Sequence, residues 1–204
     1  MNNKESFHVD IPQDVDVERI KLSEDRKYLC YETGISKNPD LDQKLFVVEL
    51  INGNTVSSFS VRDLFGHGVF PEVLGIENNE IVFLLGDFQA HVSFDGSLIN
   101  HQDYFKYRFV KALGQEYGYE LFRVSEEMPP AEQIAVLGTV LKKKLDDKTR
   151  AKVNRKIAEI MDNQFSWYEK AEKYYQEALR LDKNVGCRKA LEKCRKKEME
   201  CAKQ

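Results

Sequence analysis

The feature that most constrains the fold is a change of hydrophobic pattern at Met128-Pro129-Pro130. Before it, short runs rich in β-branched and aromatic residues alternate with turn-forming residues, a pattern typical of antiparallel strands. After it, apolar residues recur every three or four positions, as expected for amphipathic helices. A chain of 204 residues is long enough for two small domains. The sequence therefore predicts an α+β protein, with an antiparallel β domain over residues 1–128 and about four helices over residues 129–204.

The charge of the chain changes at the same place. Residues 1–128 contain 12 Lys and Arg against 22 Asp and Glu, a net charge of −10, whereas residues 129–204 contain 19 against 12, a net charge of +7. Two halves of opposite charge can attract each other, or can attract partners of opposite charge. The chain shows neither a secretory signal at its start nor the roughly 18 consecutive apolar residues of a membrane span. We therefore expect a cytoplasmic protein without membrane attachment.

The acidic half reads as two blocks of strands. Between residues 17 and 60 the apolar runs are VERIKLS, KYLCYET, KLFVVEL and TVSSFSV. Asn52-Gly53 favours a primed hairpin turn that pairs residues 44–50 with 54–61. A second block repeats this pattern over residues 71–100, with Asp95-Gly96 as another turn. Each block predicts about four strands, and further strands are predicted in YFKYRFV and YELFRV.

These blocks resemble β-propeller blades of the WD40 type. LSEDRKYLCYETG followed by KLFVVELINGNTVSSF is similar to a blade in which a Ser-x-Asp turn leads into a central strand. The next block contains Gly66-His67, Asp87 and Phe94-Asp95-Gly96, which is similar to the Gly-His and Trp-Asp pairs of WD40 repeats, with Phe94 in place of Trp. Because a closed propeller needs at least about four blades, we expect blade-like sheets that do not close. Their unpaired edges would be covered by the helices or by a second copy of the chain.

His67 lies between two glycines, where a catalytic or ligand-binding imidazole could sit. We favour a turn whose histidine hydrogen-bonds a neighbouring strand, because no set of carboxylate and nucleophile accompanies it. His8, His91 and His101 are scattered and lack the spacing of metal ligands. No metal site and no cofactor are predicted.

The basic half predicts successive helices. The first follows the prolines, and Asp146 or Asp147 is the predicted N-cap of the second. A break is predicted at Asp162-Asn163, before a third helix over residues 165–181. The apolar faces of the first two helices are Ile134, Leu137, Val140, Leu141 and Leu145, and Val153, Ile157, Ile160 and Met161.

The string AEKYYQEALRLDKN resembles the second helix of a tetratricopeptide repeat. Ala171, Tyr175 and Ala178 occupy the small, aromatic and small positions of that motif, and Lys183 stands where the family has Pro. Small residues let a partner helix approach closely. The preceding helix does not match the family, so the resemblance covers about half of one repeat. It implies a tetratricopeptide-like helical bundle rather than a repeat array.

A basic run is the candidate electrostatic surface. Clustered cations favour phosphate binding through counterion release. The run also contains Asp146 and Asp147, straddles two helix ends and includes no aromatic residue that could stack on a base. We therefore favour a solvated helix face over a nucleic-acid site. The cations are Lys142, Lys143, Lys144, Lys148, Arg150, Lys152, Arg155 and Lys156.

An aromatic string supplies the candidate partner-binding residues. Its members are too many for one helix face, so part should be core and part could line a binding groove, where Trp and Tyr are favoured. Tyr175, the aromatic position of the tetratricopeptide-like motif, is also part of this string. The predicted binding residues are Phe165, Trp167, Tyr168 and Tyr174, together with His67.

Cys187, Cys194 and Cys201 follow one another at intervals of seven residues. On a helix, neighbours at this interval lie about 10.5 Å apart, too far for a disulfide or a shared metal ion. The spacing instead predicts an apolar seam that packs the last helix on the preceding one. The end of that helix could also meet a second copy of the chain.

The favoured function is a non-enzymatic adaptor that binds another protein, because both resemblances are to families of protein-binding domains. One alternative is a bacterial immunity or inhibitor-type protein whose acidic β domain neutralises a basic toxin or nuclease. Another is a small hydrolase-like enzyme with a site near His67 and Asp87, which would use Asp87, His67 or His91 in a pocket of the sheet. Nucleic-acid binding ranks below these.

Overall fold

The computed structural model describes residues 19–33, 43–66, 69 and 71–201. It divides into two compact units, Met1–Tyr104 and Phe105–Gln204. The described elements are β1 (Lys21–Leu22), β2 (Tyr28–Thr33), β3 (Lys44–Glu49), β4 (Thr55–Ser60), α1 (Val61–Phe65), β5 (Glu72–Glu77), β6 (Glu80–Leu85), β7 (Phe88–Ser93), α2 (His101–Gly114), α3 (Tyr119–Ser125), α4 (Pro130–Val140), α5 (Asp147–Phe165), α6 (Tyr168–Leu181) and α7 (Arg188–Cys201). The predicted α+β class is confirmed. A domain boundary at Met128 stays a prediction.

The first unit contains two open antiparallel sheets. Strands β1 to β4 form one sheet in chain order, and β5 to β7 form the other. A parallel bridge between Ser23 and Ile76 places β1 beside β5. Two sheets that do not close agree with the blade-like arrangement expected from a chain with only two blocks of strands.

The predicted hairpin between β3 and β4 is present, but its turn is longer than expected. Of the Asn52-Gly53 pair, only Gly53 has a positive φ, at 70°. The Gly53 N–H donates to the Glu49 carbonyl at 2.9 Å, and the Asn54 N–H donates to Asn52 Oδ1 at 2.9 Å. The primed two-residue turn was therefore a wrong prediction, because the Asn52 side chain supports a wider loop in which a single glycine reverses the chain.

The second sheet has three strands rather than four. Residues 97–100 contribute one isolated bridge, between Leu98 and Val92. The backbone N–H groups of Asp103 and Tyr104 already donate to the Asn100 carbonyl. The start of helix α2 thus uses the segment that the pattern had suggested for a fourth strand.

Both sheets carry the same Ser-x-Asp turn. Ser23 Oγ donates to Asp25 Oδ1 at 2.8 Å and accepts the Tyr28 N–H at 2.9 Å. Ser93 Oγ likewise donates to Asp95 and accepts the Ser97 N–H at 3.2 Å. These hydrogen bonds to the ionised form lower the pKa of both carboxyl groups. The repeated scheme shows that the two blocks share a turn as well as a strand pattern.

The core of the first unit lies on the inner strands. Leu45 and Val47 of β3 and Ile81 and Phe83 of β6 are completely buried and alternate along their strands. Phe65 of α1 packs edge-to-face on Phe83, with 5.2 Å between ring centroids. On the opposite face of the first sheet, Leu29, Tyr31 and Val48 form a separate cluster.

Residues 104–110 and 119–124 are helical, so the strands predicted there were wrong. The two segments form half of α2 and nearly all of α3. Their aromatic residues suggested strands, yet Phe105, Phe109 and Ala112 of α2 pack against the helical core at intervals of four and three residues. Tertiary packing at helical spacing therefore overrides the β-propensity of the aromatic side chains.

Helix α5 is the centre of the second unit. The predicted cap is confirmed, since Asp146 Oδ1 accepts the Thr149 N–H at 2.8 Å. The predicted break at Asp162-Asn163 is wrong: α5 continues to Phe165 and ends where Ser166 adopts a left-handed conformation, with φ 55°. Asp162 is tolerated inside the helix because Lys197 binds its carboxylate at 2.6 Å.

The small and aromatic positions of α6 pack as predicted, and so do two of the three cysteines, Cys187 just before α7 and Cys194 within it. Ala171 and Ala178 are completely buried, and Tyr175 is 1% exposed. Cys187 and Cys194 are also completely buried, and their thiols lie against the carbonyls of Tyr175 and Tyr168. Cys201 is exposed. Within residues 19–33, 43–66, 69 and 71–201, no helix is long and apolar enough to cross a membrane.

Candidate functional site

The turn between α5 and α6 presents Trp167, the single tryptophan of the chain. Ser166 ends α5 with a positive φ, and both the Ser166 and Trp167 N–H groups donate to the Met161 carbonyl. The Trp167 carbonyl then accepts the Ala171 N–H at 2.9 Å and begins α6. The backbone on either side of Trp167 is therefore fixed by helical hydrogen bonds.

The Trp167 side chain is exposed and contacts two neighbouring side chains. It stacks on Phe165 with 4.8 Å between ring centroids, and Lys170 Nζ lies 4.8 Å from the centre of its ring. The residue remains 45% exposed. An exposed tryptophan held in one orientation loses little conformational entropy on binding, which favours its use at a protein interface.

The other predicted binding residues lie deeper. Tyr168 and Tyr174 are partly buried against the helical core. Lys197 Nζ lies 5.4 Å from the centre of the Tyr168 ring, so α7 covers part of that side chain. Phe165 is partly buried against the same core and stacks on Trp167, which is the exposed member of the set. His67 lies outside the described residues.

Half of the predicted basic residues have partners in the helical unit. Lys143 Nζ donates to the carbonyls of Leu113, at 2.9 Å, and Gln115. Arg155 donates to Glu159 and to the Val185 carbonyl, both at 2.7 Å. Arg150 binds the carbonyls of Leu141 and Lys143, and Lys144 pairs with Glu116. These cations hold loops and helix ends in place.

The remaining lysines of the run face solvent. Lys142, Lys148 and Lys152 are exposed and Lys156 is half-buried, and none of the four makes an ion pair within the part of the chain that the structure describes. Lys148, Lys152 and Lys156 recur at every fourth position of α5 and so lie along one side of the helix. These four lysines are members of the run that have no ion pair in the described structure.

Two exposed tyrosines that the sequence analysis missed lie beside this run. Tyr117 and Tyr119 are 53% and 44% exposed, and their rings are nearly parallel, with 6.2 Å between centroids. A parallel bridge pairs Tyr117 with Lys144. The pair was missed because Tyr117 and Lys144 are far apart in sequence and YELFRV was interpreted as a strand.

Asp87 and His91 do not lie together. Asp87 is exposed in the turn between β6 and β7, and His91 lies four residues along the chain, roughly 13 Å away in an extended strand. His91 Nδ1 instead contacts Glu80 Oε2 across the hairpin at 3.0 Å. Among residues 19–33, 43–66, 69 and 71–201, no three His, Cys, Asp or Glu side chains are grouped so that they could hold a metal ion.

Burial raises the pKa values of two thiols and one carboxyl group. Burial raises the pKa of the Cys30 thiol to about 12 and that of the Cys194 thiol to about 11. A thiol needs to ionise to act as a nucleophile, so neither is activated near neutral pH. Burial also raises the pKa of Glu32, against the opposing effects of Arg19 and of the amide of Gln43.

Comparison with known proteins gives no relative. No family model matches the chain, and no curated protein and no solved structure matches it either.

Proposed function

We propose that the chain is a non-enzymatic adaptor that binds another protein through the Trp167 surface, defined as Phe165, Trp167 and Lys170. The observation that carries the proposal is an exposed tryptophan fixed by an aromatic stack and a cation. Trp is among the residues that contribute most at protein interfaces, and orientation before binding lowers the entropic cost of association. In this proposal the sheets act as a WD40-like module and α5 and α6 as a tetratricopeptide-like pair.

A quantitative affinity purification from the native cell tests this proposal. The full chain is compared with Trp167→Ala and with Met199→Ala, a matched control in which another exposed apolar side chain, on α7, is truncated. We expect a protein that is retained by the wild type and the control and lost by Trp167→Ala. Removal of a central interface tryptophan costs at least about 2 kcal/mol, or about 30-fold in affinity, which calorimetry with the purified partner measures.

The purification has outcomes that contradict the proposal. If partners bind equally to wild type and Trp167→Ala, the tryptophan does not form the interface. If Trp167→Ala changes the far-UV circular dichroism, the loss of binding reflects unfolding, and Trp167→Leu then replaces it because leucine retains an apolar side chain. A chain that converts a small molecule with a turnover dependent on His91 or Asp87 would support the enzymatic alternative.

The acidic charge of residues 1–128 favours a second candidate function, the neutralisation of a basic toxin or nuclease. Within the first unit, acidic side chains such as Glu24, Asp63, Glu72, Glu77 and Asp87 are exposed. An acidic surface accelerates association with a basic partner and makes that association sensitive to salt. Partner binding that weakens steeply with salt and is unaffected by Trp167→Ala would favour this function.

A further inference from the structure

Tyr117 and Tyr119 form an exposed pair of parallel rings. About half of each side chain is accessible, and the planes of the rings differ by 16°. Exposed aromatic rings are the platforms on which unpaired nucleobases stack, because every base has a π face. Nucleic-acid binding ranks low on sequence alone partly because no aromatic residue lies within the basic run. The fold supplies two.

The ring pair is held against the basic run by backbone contacts. The Gly118 N–H donates to the Lys144 carbonyl at 3.2 Å, and the Lys144 N–H donates to the Glu116 carbonyl at 3.3 Å. Tyr119 Oη donates to Asp146 Oδ2 at 2.8 Å. These bonds fix the positions of the tyrosines relative to the segment that carries the lysines.

Gly118 makes this approach possible. A Cβ atom at this position would lie 3.1 Å from the side chains of Val140 and Leu145 and 3.2 Å from the Val140 carbonyl oxygen. A larger residue would therefore push the segment that carries the two tyrosines away from the basic run. The close contact depends on the sequence Tyr-Gly-Tyr.

Beside the two tyrosines, Lys142, Lys143, Lys144 and Lys148 carry four positive charges, against three negative charges on Glu116, Asp146 and Asp147. Glu116 pairs with Lys144, and Asp146 accepts hydrogen bonds from Thr149 and Tyr119, which lower the pKa of Asp146 to about 2. Lys142 and Lys148 are exposed and make no ion pair in the described structure, and the ionised Asp146 and Asp147 oppose them with two negative charges. Such cations can bind phosphate without first breaking a strong internal interaction.

We propose that the Tyr117/Tyr119 surface, defined as Tyr117, Tyr119, Lys142, Lys144 and Lys148, binds single-stranded nucleic acid. Bases stack on the exposed tyrosine rings, and backbone phosphates contact the lysines. Single-stranded nucleic acid offers a planar base for each exposed ring and a phosphate for each lysine, whereas the carboxylates of an acidic protein segment would satisfy the lysines alone. A duplex keeps its bases stacked and unavailable to the rings. This inference does not depend on the Trp167 surface.

Fluorescence anisotropy with the full chain and a fluorescein-labelled 20-nucleotide oligo(dT) tests the proposal, with an RNA of equal length as a second probe. We expect weak, salt-dependent binding. Contact with two or three phosphates gives a slope of log K against log salt of about −1.4 to −2. Tyr117→Leu should weaken binding by about 5- to 150-fold, the range measured for removal of one base stack, without changing that slope. This variant keeps the hydrogen bond between Tyr119 and Asp146.

The lysines are tested by their effect on the salt slope. Lys142→Ala with Lys148→Ala should reduce its magnitude by about 1.4, or 0.7 for each lost phosphate contact. The matched control, Lys189→Ala with Lys193→Ala on α7, removes the same charge from exposed positions and should leave the slope unchanged.

Three results would overturn the proposal. The first is an absence of oligonucleotide binding at 50 mM salt. The second is binding that Tyr117→Leu does not weaken although its circular dichroism matches the wild type. The third is displacement of the oligonucleotide by poly-glutamate at equal charge concentration, when Tyr117→Leu changes the affinity for neither ligand. This would indicate general attraction of polyanions.

Discussion

The ion pair between Asp162 and Lys197 links α5 to α7, and its two ends differ in exposure. The Asp162 side chain is 5% exposed and that of Lys197 is 40% exposed, with 2.6 Å between Oδ1 and Nζ. We predict that the two single substitutions differ in their effect on the free energy of unfolding of the helical unit. Lys197→Met should lower it by about 2–3 kcal/mol and Asp162→Asn by about 1 kcal/mol.

These magnitudes follow from what each substitution leaves behind. Lys197→Met leaves a buried carboxylate without its cation, which costs about 3–5 kcal/mol in a fully buried pair. Solvent around the lysine end screens this pair, so we reduce the value to about 2–3 kcal/mol. After Asp162→Asn the amide keeps the size and an acceptor, and Lys197 can turn to water. The double substitution should therefore cost less than the sum of the single ones, with a coupling of about 1–2 kcal/mol.

Urea unfolding followed by tryptophan fluorescence measures this difference. Trp167 is the single tryptophan and lies in the helical unit, so its emission reports the unfolding of that unit rather than of the sheets. Lys193→Met on α7 is the control, because Lys193 is exposed and should change stability by less than about 0.5 kcal/mol. The reasoning is refuted if Asp162→Asn is as destabilising as Lys197→Met, or if neither differs from the control.

Three further tests address the first unit and the buried thiols: serine substitution, thiol alkylation and a pH series. Ser23→Ala should cost about 1–2 kcal/mol and Ser93→Ala less than about 1 kcal/mol in urea unfolding followed by circular dichroism, because Ser23 is buried whereas the hydrogen bonds of Ser93 are exposed; equal losses would contradict this. Iodoacetamide at pH 8 should modify Cys201 rapidly and spare Cys30 and Cys194, as judged by mass spectrometry of peptides. Because folding raises the pKa of these two thiols, they contribute to the free energy of unfolding, and this contribution is complete below their unfolded pKa near 9. It is lost as pH rises towards 11–12. The melting temperature should therefore fall over that range. Rapid labelling of Cys194, or a melting temperature constant between pH 8 and pH 11, would show that the thiols are not protected as described.

Local signals predicted the parts of the fold whose causes are local. The cap at Asp146 and the small positions Ala171 and Ala178 depend on neighbours within one or two helical turns, and the structure places them as expected. The hairpin of β3 and β4 was also predicted from its Asn-Gly signal. The turn type was not predicted, because Asn52 shapes the turn through its side chain, which accepts the Asn54 N–H, and not through a positive φ.

Errors arose where distant contacts decide the conformation. The aromatic residues of 104–110 suggested a strand, but the buried face of α2 becomes visible only with the helices that pack on it. Asp162 suggested a helix break, and its cation comes from a residue of α7 far along the chain. In each case tertiary contacts outweigh propensities of about 1 kcal/mol or less.

The two exposed aromatic surfaces of the helical unit suit different partners because their rings are used differently. The Trp167 ring already stacks on Phe165 and lies beside Lys170, so the exposed remainder of the indole favours apolar packing of the kind that proteins provide. The cations beside Tyr117 and Tyr119 are instead engaged by backbone carbonyls and a carboxylate, or face water, and the rings keep accessible area. Trp167→Ala should therefore reduce protein binding and spare oligonucleotide binding, whereas Tyr117→Leu should do the reverse. If both substitutions reduced both kinds of binding, the two surfaces would act as one site.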